Sequence, residues 1–170
     1  DLLFTPSPDA DQNLTNEGVK PENIKLVGNI MIDSLLNHSK KSEKSDIHDK
    51  LKISKGNYAL ITLHRPSNVD DENTFSGIME ALETIGKDIS IVFPAHPRTS
   101  KMINEFGFDS RIKQIPNFVV TEPLGYLDFL ALMKHAKVVL TDSGGLQEET
   151  TALGIPCITI RENTERPITV

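Results

Sequence analysis

Residues 137–160 read KVVLTDSGGLQEETTALGIPCITI, and the punctuation of this stretch decides the fold. The β-branched apolar run KVVLTD predicts a buried strand, and PCITI predicts a second one. Between them LQEETTALG predicts a helix, entered through Ser143, Gly144 and Gly145. Strands alternating with helices in this way form parallel βαβ units. Paired glycines weaken a helix start by roughly 1 kcal/mol each relative to alanine. Their presence implies that something comes close to the backbone at this turn.

The alternation extends outward. Further β-rich runs are DLLFT, NIKLVGN, NYALITLH, SIVFPAH and NFVVTEP. In ENTFSGIMEALETIG, Phe75, Ile78, Met79, Leu82 and Ile85 fall at helical spacing, with Asp70 or Asp71 available as a cap. LGYLDFLALMKHA predicts a helix with Tyr126, Phe129, Leu130 and Met133 along one side, and a further helix is expected around DADQNLTNEGV. The fold class is therefore α/β, a parallel sheet with flanking helices. The polar stretch 37–57, NHSKKSEKSDIHDKLKISKGN, breaks the rhythm and is expected to be a surface connection containing a short helix. The expected organisation is residues 1–36 as the tail of one domain with its crossover, 37–54 as a connecting segment, and 55–170 as a second domain. The chain opens on DLLFTPS without methionine and stops on ITV just after a proline, so an internal piece of a longer protein is expected.

Composition removes several classes of function. The 170 residues are 38% hydrophobic and carry a net charge of -6, without a Lys/Arg cluster dense enough to track a phosphate backbone, so no nucleic-acid partner is expected. Cys157 stands alone and cannot form an intrachain disulfide, which fits a reduced, cytoplasmic setting. No apolar stretch approaches the roughly 18 residues of a membrane span. The acidic start DLLFTPSPDAD is no signal peptide.

In doubly wound sheets, ligands bind beyond the carboxyl ends of strands. Three strands end in suitable polar residues, at LITLHRP, IVFPAHP and VVLTDSGG. Ser143, Gly144 and Gly145 would offer unpaired N–H groups and a helix dipole to an anion. The structural alternative is a tight turn capped by Asp142 or Ser143. Glu149, four residues after Gly145, shares a face with that turn and can accept hydrogen bonds from two vicinal hydroxyls. Glu148 is rotated away and expected in solvent. His64 can donate to a phosphate or transfer a proton, against the alternative of a structural histidine. His96 holds the same position on the next strand and ranks lower. Arg161 and Arg166 suit a pyrophosphate or carboxylate, with salt bridges to Glu162 or Glu165 as the alternative. The histidines at 38, 48, 64, 96 and 135 have no HxxxH or CxxC spacing, so no metal site is expected. Ser143 lacks the pattern of a nucleophile elbow.

LITLHRPSNVDD, PLGYLDFLALM and above all LTDSGGLQEETTALGIPCITIRENTERP closely resemble the non-hydrolysing UDP-N-acetylglucosamine 2-epimerases. The opening DLLFTPSPDADQNLTNEGVKPENIKLVGNIMIDSL is similar to that family as well, so the resemblance covers the whole chain; Pro66 stands where many members carry a second arginine. The resemblance implies the C-terminal half of a GT-B-like fold of two Rossmann-like domains, and interconversion of UDP-N-acetylglucosamine and UDP-N-acetylmannosamine by UDP elimination and re-addition. It implies that Ser143, Gly144 and Gly145 meet the diphosphate, Glu149 the ribose hydroxyls and Arg166 the nucleotide end. His64 would lie beside the phosphates, and the segment from Leu124 to Phe129 would border the uracil. No cofactor is implied, the full-length protein is expected to be a homodimer, and the acid/base carboxylates are expected upstream of Asp1. A GT-B glycosyltransferase, a hydrolysing epimerase and a non-catalytic nucleotide-sugar sensor remain the alternatives.

Overall fold

The computed structural model describes residues 1–164 and 166–169, in two compact units, Asp1–Asn37 and His38–Val170. In the first unit, β1 (Leu3–Thr5) is followed by α1 (Pro8–Asn16) and then β2 (Ile24–Leu26), which pairs with β1 in parallel. The Thr5 hydroxyl donates to the Asp11 carboxylate and ties strand to helix. α2 (Ile30–Ser42) contains the division between the units.

The second unit continues with α3 (Ile47–Leu51), β3 (Tyr58–Thr62), α4 (Pro66–Val69), α5 (Glu72–Ile85), β4 (Ser90–Pro94), α6 (Pro97–Glu105) and α7 (Asp109–Ile112). It closes with β5 (Phe118–Thr121), α8 (Tyr126–Lys134), β6 (Val138–Thr141), α9 (Gly144–Leu153) and β7 (Cys157–Thr159). All seven predicted strands form. Five of them make one parallel sheet in the order β5-β4-β3-β6-β7.

Strand alternation divides the core. Ala59, Ile61, Ile91 and Phe93 pack with Phe75, Met79 and Leu82 of α5 in one cluster, as the helical spacing predicts. Leu60 and Val92 point the other way and are equally buried. A strand buried on both faces has to read YALIT rather than alternate with charges. Burying a side chain such as Phe75 contributes about 1.5–3 kcal/mol. Asp71 is the cap of α5 and accepts the Thr74 N–H at 2.8 Å. In α8 the buried residues are Leu130–Met133, while Tyr126 of the predicted stripe is exposed.

The polar segment expected to connect domains groups, from His38 onward, with the second unit. Its hydrogen bonds account for this. Ser45 Oγ donates to Asp128 at 2.6 Å, and Lys134 pairs with Glu43. The buried His48 meets Tyr58 Oη at 3.0 Å, and Tyr58 Oη donates to Leu132 O at 2.5 Å. Because the tyrosine has one proton, it accepts from His48 and donates onward.

α5 ends where Gly86 passes under β5's approach, and a Cβ built there lies 2.3 Å from Ile115 Cγ2 and 3.2 Å from Leu82 O. Ile115 is itself buried and cannot swing out. Gly86→Ala is expected to destabilise the protein by about 1–3 kcal/mol, the scale of overpacking in a dense core. Urea unfolding measures it, and a midpoint equal to that of the unsubstituted protein would contradict the packing described.

Candidate functional site

From β3 the chain builds outward through β4 to β5, then returns to the other side of β3 for β6 and β7. The order reverses between β3 and β6, and a crevice opens beyond the carboxyl ends of those two strands. Thr62 and Thr141 close its floor, with their hydroxyls 2.7 Å apart.

Asp142, the first residue after β6, is completely buried. Its carboxylate accepts the N–H of His64 at 3.0 Å, the N–H of Arg65 at 2.9 Å and Nδ2 of Asn68 at 3.1 Å. His64 Nδ1 lies 2.9 Å from the other oxygen. Arg65 Nε donates back to Asp142 O at 2.7 Å. Asp142 therefore does not cap α9, as one sequence alternative held. It binds the turn after β3 to the turn after β6, across 78 positions of sequence. Sequence reasoning missed this role. The available signal was a lone aspartate ending an apolar strand, which has to be buried with its donors.

The contact at Nδ1 fixes the role of the His64 ring: Nδ1 carries the proton towards the carboxylate, and Nε2 is left to a ligand. His64, Leu124, Phe129 and Ser143 together line a cavity of about 210 Å³, shared with His96 and Leu146. His96, ranked below His64, lies with its ring centroid 5.8 Å from that of His64. Its Nδ1 accepts the Arg98 N–H at 3.2 Å and so caps α6.

Ser143 is the N-cap of α9, but its hydroxyl makes no capping bond. Gln147 N–H donates to Ser143 O at 3.3 Å, so the N–H groups of Gly144, Gly145 and Leu146 precede the first helical bond. Neither Gly144 nor Gly145 has a positive φ. Backbone conformation does not call for glycine at either position. At the other end Gly154, at φ 68°, terminates α9 in the left-handed region.

Glu149 is 7% exposed and has no hydrogen-bond partner among the described residues. Burial, and secondarily the neighbouring Glu148, pushes its carboxyl above the usual range. Glu148 does not face solvent as expected. Its side chain is 10% exposed, with a carboxylate oxygen 3.7 Å from Arg166 Nε. Glu149 and Arg166 lie outside the wall of the 210 Å³ cavity. Arg161 lines a separate cavity of about 460 Å³ with Arg65 and Asn68. Glu165, the proposed salt-bridge partner, falls outside the described residues. Among those described, no group of three or more His, Cys, Asp or Glu side chains could hold a metal ion.

A five-stranded Rossmann-like sheet, with a glycine-opened helix at its switch point, defines an α/β domain of the nucleotide-binding type. The chain belongs to the UDP-N-acetylglucosamine 2-epimerase family, whose model matches residues 1–170. It is 42% identical to the UDP-N-acetylglucosamine 2-epimerase of Methanococcus maripaludis over 100% of this chain and 48% of that protein. The UDP-2,3-diacetamido-2,3-dideoxy-D-glucuronate 2-epimerase of Pseudomonas aeruginosa is 38% identical over 97% of this chain and 45% of its own length. The crystal structure of the Methanocaldococcus jannaschii UDP-GlcNAc 2-epimerase in complex with UDP-GlcNAc and UDP superposes with a TM-score of 0.90 at 42% identity, over 99% of this chain and 47% of that one. The chain thus spans about half the length of the relatives it matches.

Two substitutions test the site as built. Asp142→Asn keeps the shape but turns an amide N–H₂ towards donors, and is expected to cost at least about 3 kcal/mol, as for a buried charge network losing its acceptor. A urea midpoint within error of the unsubstituted protein would refute the account of Asp142.

Glu149 tests the sign of a pH effect. A carboxyl raised in the folded state favours protonation there, so the folded chain loses stability as pH rises past the usual carboxylate range. Glu149→Gln removes that loss. The variant is expected to melt higher at pH 7, with the difference vanishing near pH 4 in calorimetry. A variant that melts lower at both pH values would show that the carboxylate has a protein partner.

Proposed function

We propose that this chain binds the UDP portion of a nucleotide sugar at the α9 crevice. As the full-length protein it would interconvert UDP-N-acetylglucosamine and UDP-N-acetylmannosamine by eliminating and re-adding UDP. The observation that carries the reading is the buried, unpartnered Glu149 one turn beyond an uncapped, glycine-opened helix start, in a chain of this family. The curated relatives described above differ in the sugar they are named for, but both names keep UDP and epimerisation at C2.

The diphosphate lies against the backbone of Ser143, Gly144 and Gly145, where glycine leaves room for its oxygens. His64, held through Nδ1 by Asp142, presents Nε2 to a phosphate oxygen. Glu149 takes the two ribose hydroxyls, one per carboxylate oxygen. Leu124 and Phe129 give the uracil an apolar border, and Arg166 closes the nucleotide end.

In the elimination, C2 loses its proton and the bond from C1 to the diphosphate oxygen breaks, giving an acetamidoglucal and UDP. Negative charge accumulates on the departing diphosphate. Fixed N–H groups and the α9 dipole are stronger partners for that charge than for the ground state, which lowers the barrier. UDP held in place adds back to C1 while C2 is reprotonated from the opposite face. The acid and base carboxylates come, on this reading, from the half of the family fold that the chain does not span. The full-length protein is read as a cytoplasmic homodimer: the lone Cys157, half-buried as a thiol, suits a reducing compartment, and the dimer follows the family resemblance.

The test uses the full-length enzyme and UDP-N-acetylglucosamine in heavy water, followed by proton NMR. Deuterium is expected at C2 together with UDP-N-acetylmannosamine, and EDTA is expected to leave the rate unchanged, since N–H groups and His64 meet the diphosphate charge. Glu149→Gln should weaken UDP binding about 10- to 100-fold, the scale of a hydrogen bond to a charged group. Release of UDP and free sugar as the only products, or no label at C2, would overturn the reading.

A further inference from the structure

Gln147 is 2% exposed, yet it stands in the opening turns of α9 with a full amide. Its Oε1 accepts the Thr164 hydroxyl at 2.5 Å. That hydroxyl has its one proton committed to Gln147, and so it receives the Arg166 N–H at 3.0 Å as an acceptor. The Thr169 hydroxyl donates to Arg166 O at 2.7 Å. Both polar backbone groups of Arg166 are thus held by threonine hydroxyls, and both hydroxyls approach Gln147 Oε1 on α9, Thr164 at 2.5 Å and Thr169 at 3.4 Å. On the side chain, Arg166 Nε lies 3.7 Å from Glu148.

Two donors in this assembly are buried without a hydrogen-bond partner among the described residues, Gln147 Nε2 and Arg166 Nε. Leaving a buried donor unmade costs on the order of 1–3 kcal/mol each. A methionine would fill the volume of Gln147 without that cost. What the amide gives in return is its oxygen, which receives the Thr164 hydroxyl.

We propose that Gln147 is a positioning residue that, through Thr164, sets the backbone of Arg166 against α9 and thereby presents the Arg166 guanidinium to the bound nucleotide. The three consecutive residues Gln147, Glu148 and Glu149 then divide the work: the first holds the backbone of Arg166, the second lies against its side chain, and the third faces the ligand. This rests on the reading that UDP binds beside α9 with Arg166 at its nucleotide end.

The experiment is UDP titration calorimetry on the full-length protein carrying Gln147→Leu, Thr164→Val or Thr164→Ser, each alone and combined with Arg166→Ala. Gln147→Leu and Thr164→Val are expected to weaken UDP binding about tenfold alone and less than twofold once Arg166 is alanine, because the residue they position is gone. Thr164→Ser keeps the hydroxyl and should bind as the unsubstituted protein does. Thr164→Val changes no volume and remains informative if Gln147→Leu fails to fold. Equal losses in both Arg166 backgrounds, or unchanged binding in Thr164→Val, would overturn the proposal while leaving the nucleotide site standing. Failure of the unsubstituted protein to bind UDP would overturn the functional reading and this inference with it.

Discussion

The Asp142 carboxylate joins the two halves of the sheet at the point where a ligand can enter. β3 and β6 run side by side, but beyond their last paired residues the backbone has no ladder left to satisfy it. The N–H groups of His64 and Arg65 emerge there, and so does the buried Asn68 amide. One buried carboxylate accepts from all three and orients the His64 imidazole as well. Such an anion is tolerable in the interior because its oxygens are filled by donors. The shape of the crevice follows from that arrangement.

The same economy governs α9. Its first turn faces the crevice through Ser143, and its second carries three polar side chains that a surface helix would point to water. Each is buried or nearly so. A helix that spends its opening turns on Gly-Gly and then buries Gln-Glu-Glu is poor by propensity. It gains its place from tertiary contacts with β6 and β7.

Much of the fold was legible because it rests on short-range patterns. β3, β4 and β6 announce themselves as uninterrupted apolar runs, and α5 by its spacing and its Asp71 cap. α6 was not announced: PRTSKMINE carries only Met102 and Ile103 as large apolar residues, and its start is marked only by His96 before a proline at the first helical position. The polar run after Asn37 forms its expected short helix as α3, and what stayed hidden there was its tie to α8. Lysine and serine there suggest solvent, and the lysines are exposed, but the hydrogen bond of Ser45 to Asp128 of α8, 83 positions on, is a long-range fact that no local window contains. In the site, His64, Leu124, Phe129 and Ser143 could be named from motif and resemblance, and they share one cavity. Asp142, Gln147 and the burial of Glu148 could not, because each depends on what a distant segment brings to it. A charged residue read from sequence defaults to the surface, and only packing reverses that default.

The order of the strands also bears on how the molecule is made. β3 finds β4 and β5 through neighbouring segments, but its pairing with β6 joins positions as far apart as Thr62 and Thr141, 79 residues along the chain. Closing so long a loop is entropically the most expensive step in building the sheet. A chain stalled before that step can already assemble most of the cluster around Phe75, Met79 and Phe93, since few of its members come from β6 or later. It would be collapsed and largely apolar inside, yet without a crevice, because β6 and Asp142 had not arrived. On the proposed reading, nucleotide affinity would be a property of completed topology rather than of compaction, and counting binding-competent molecules would count those that have finished folding.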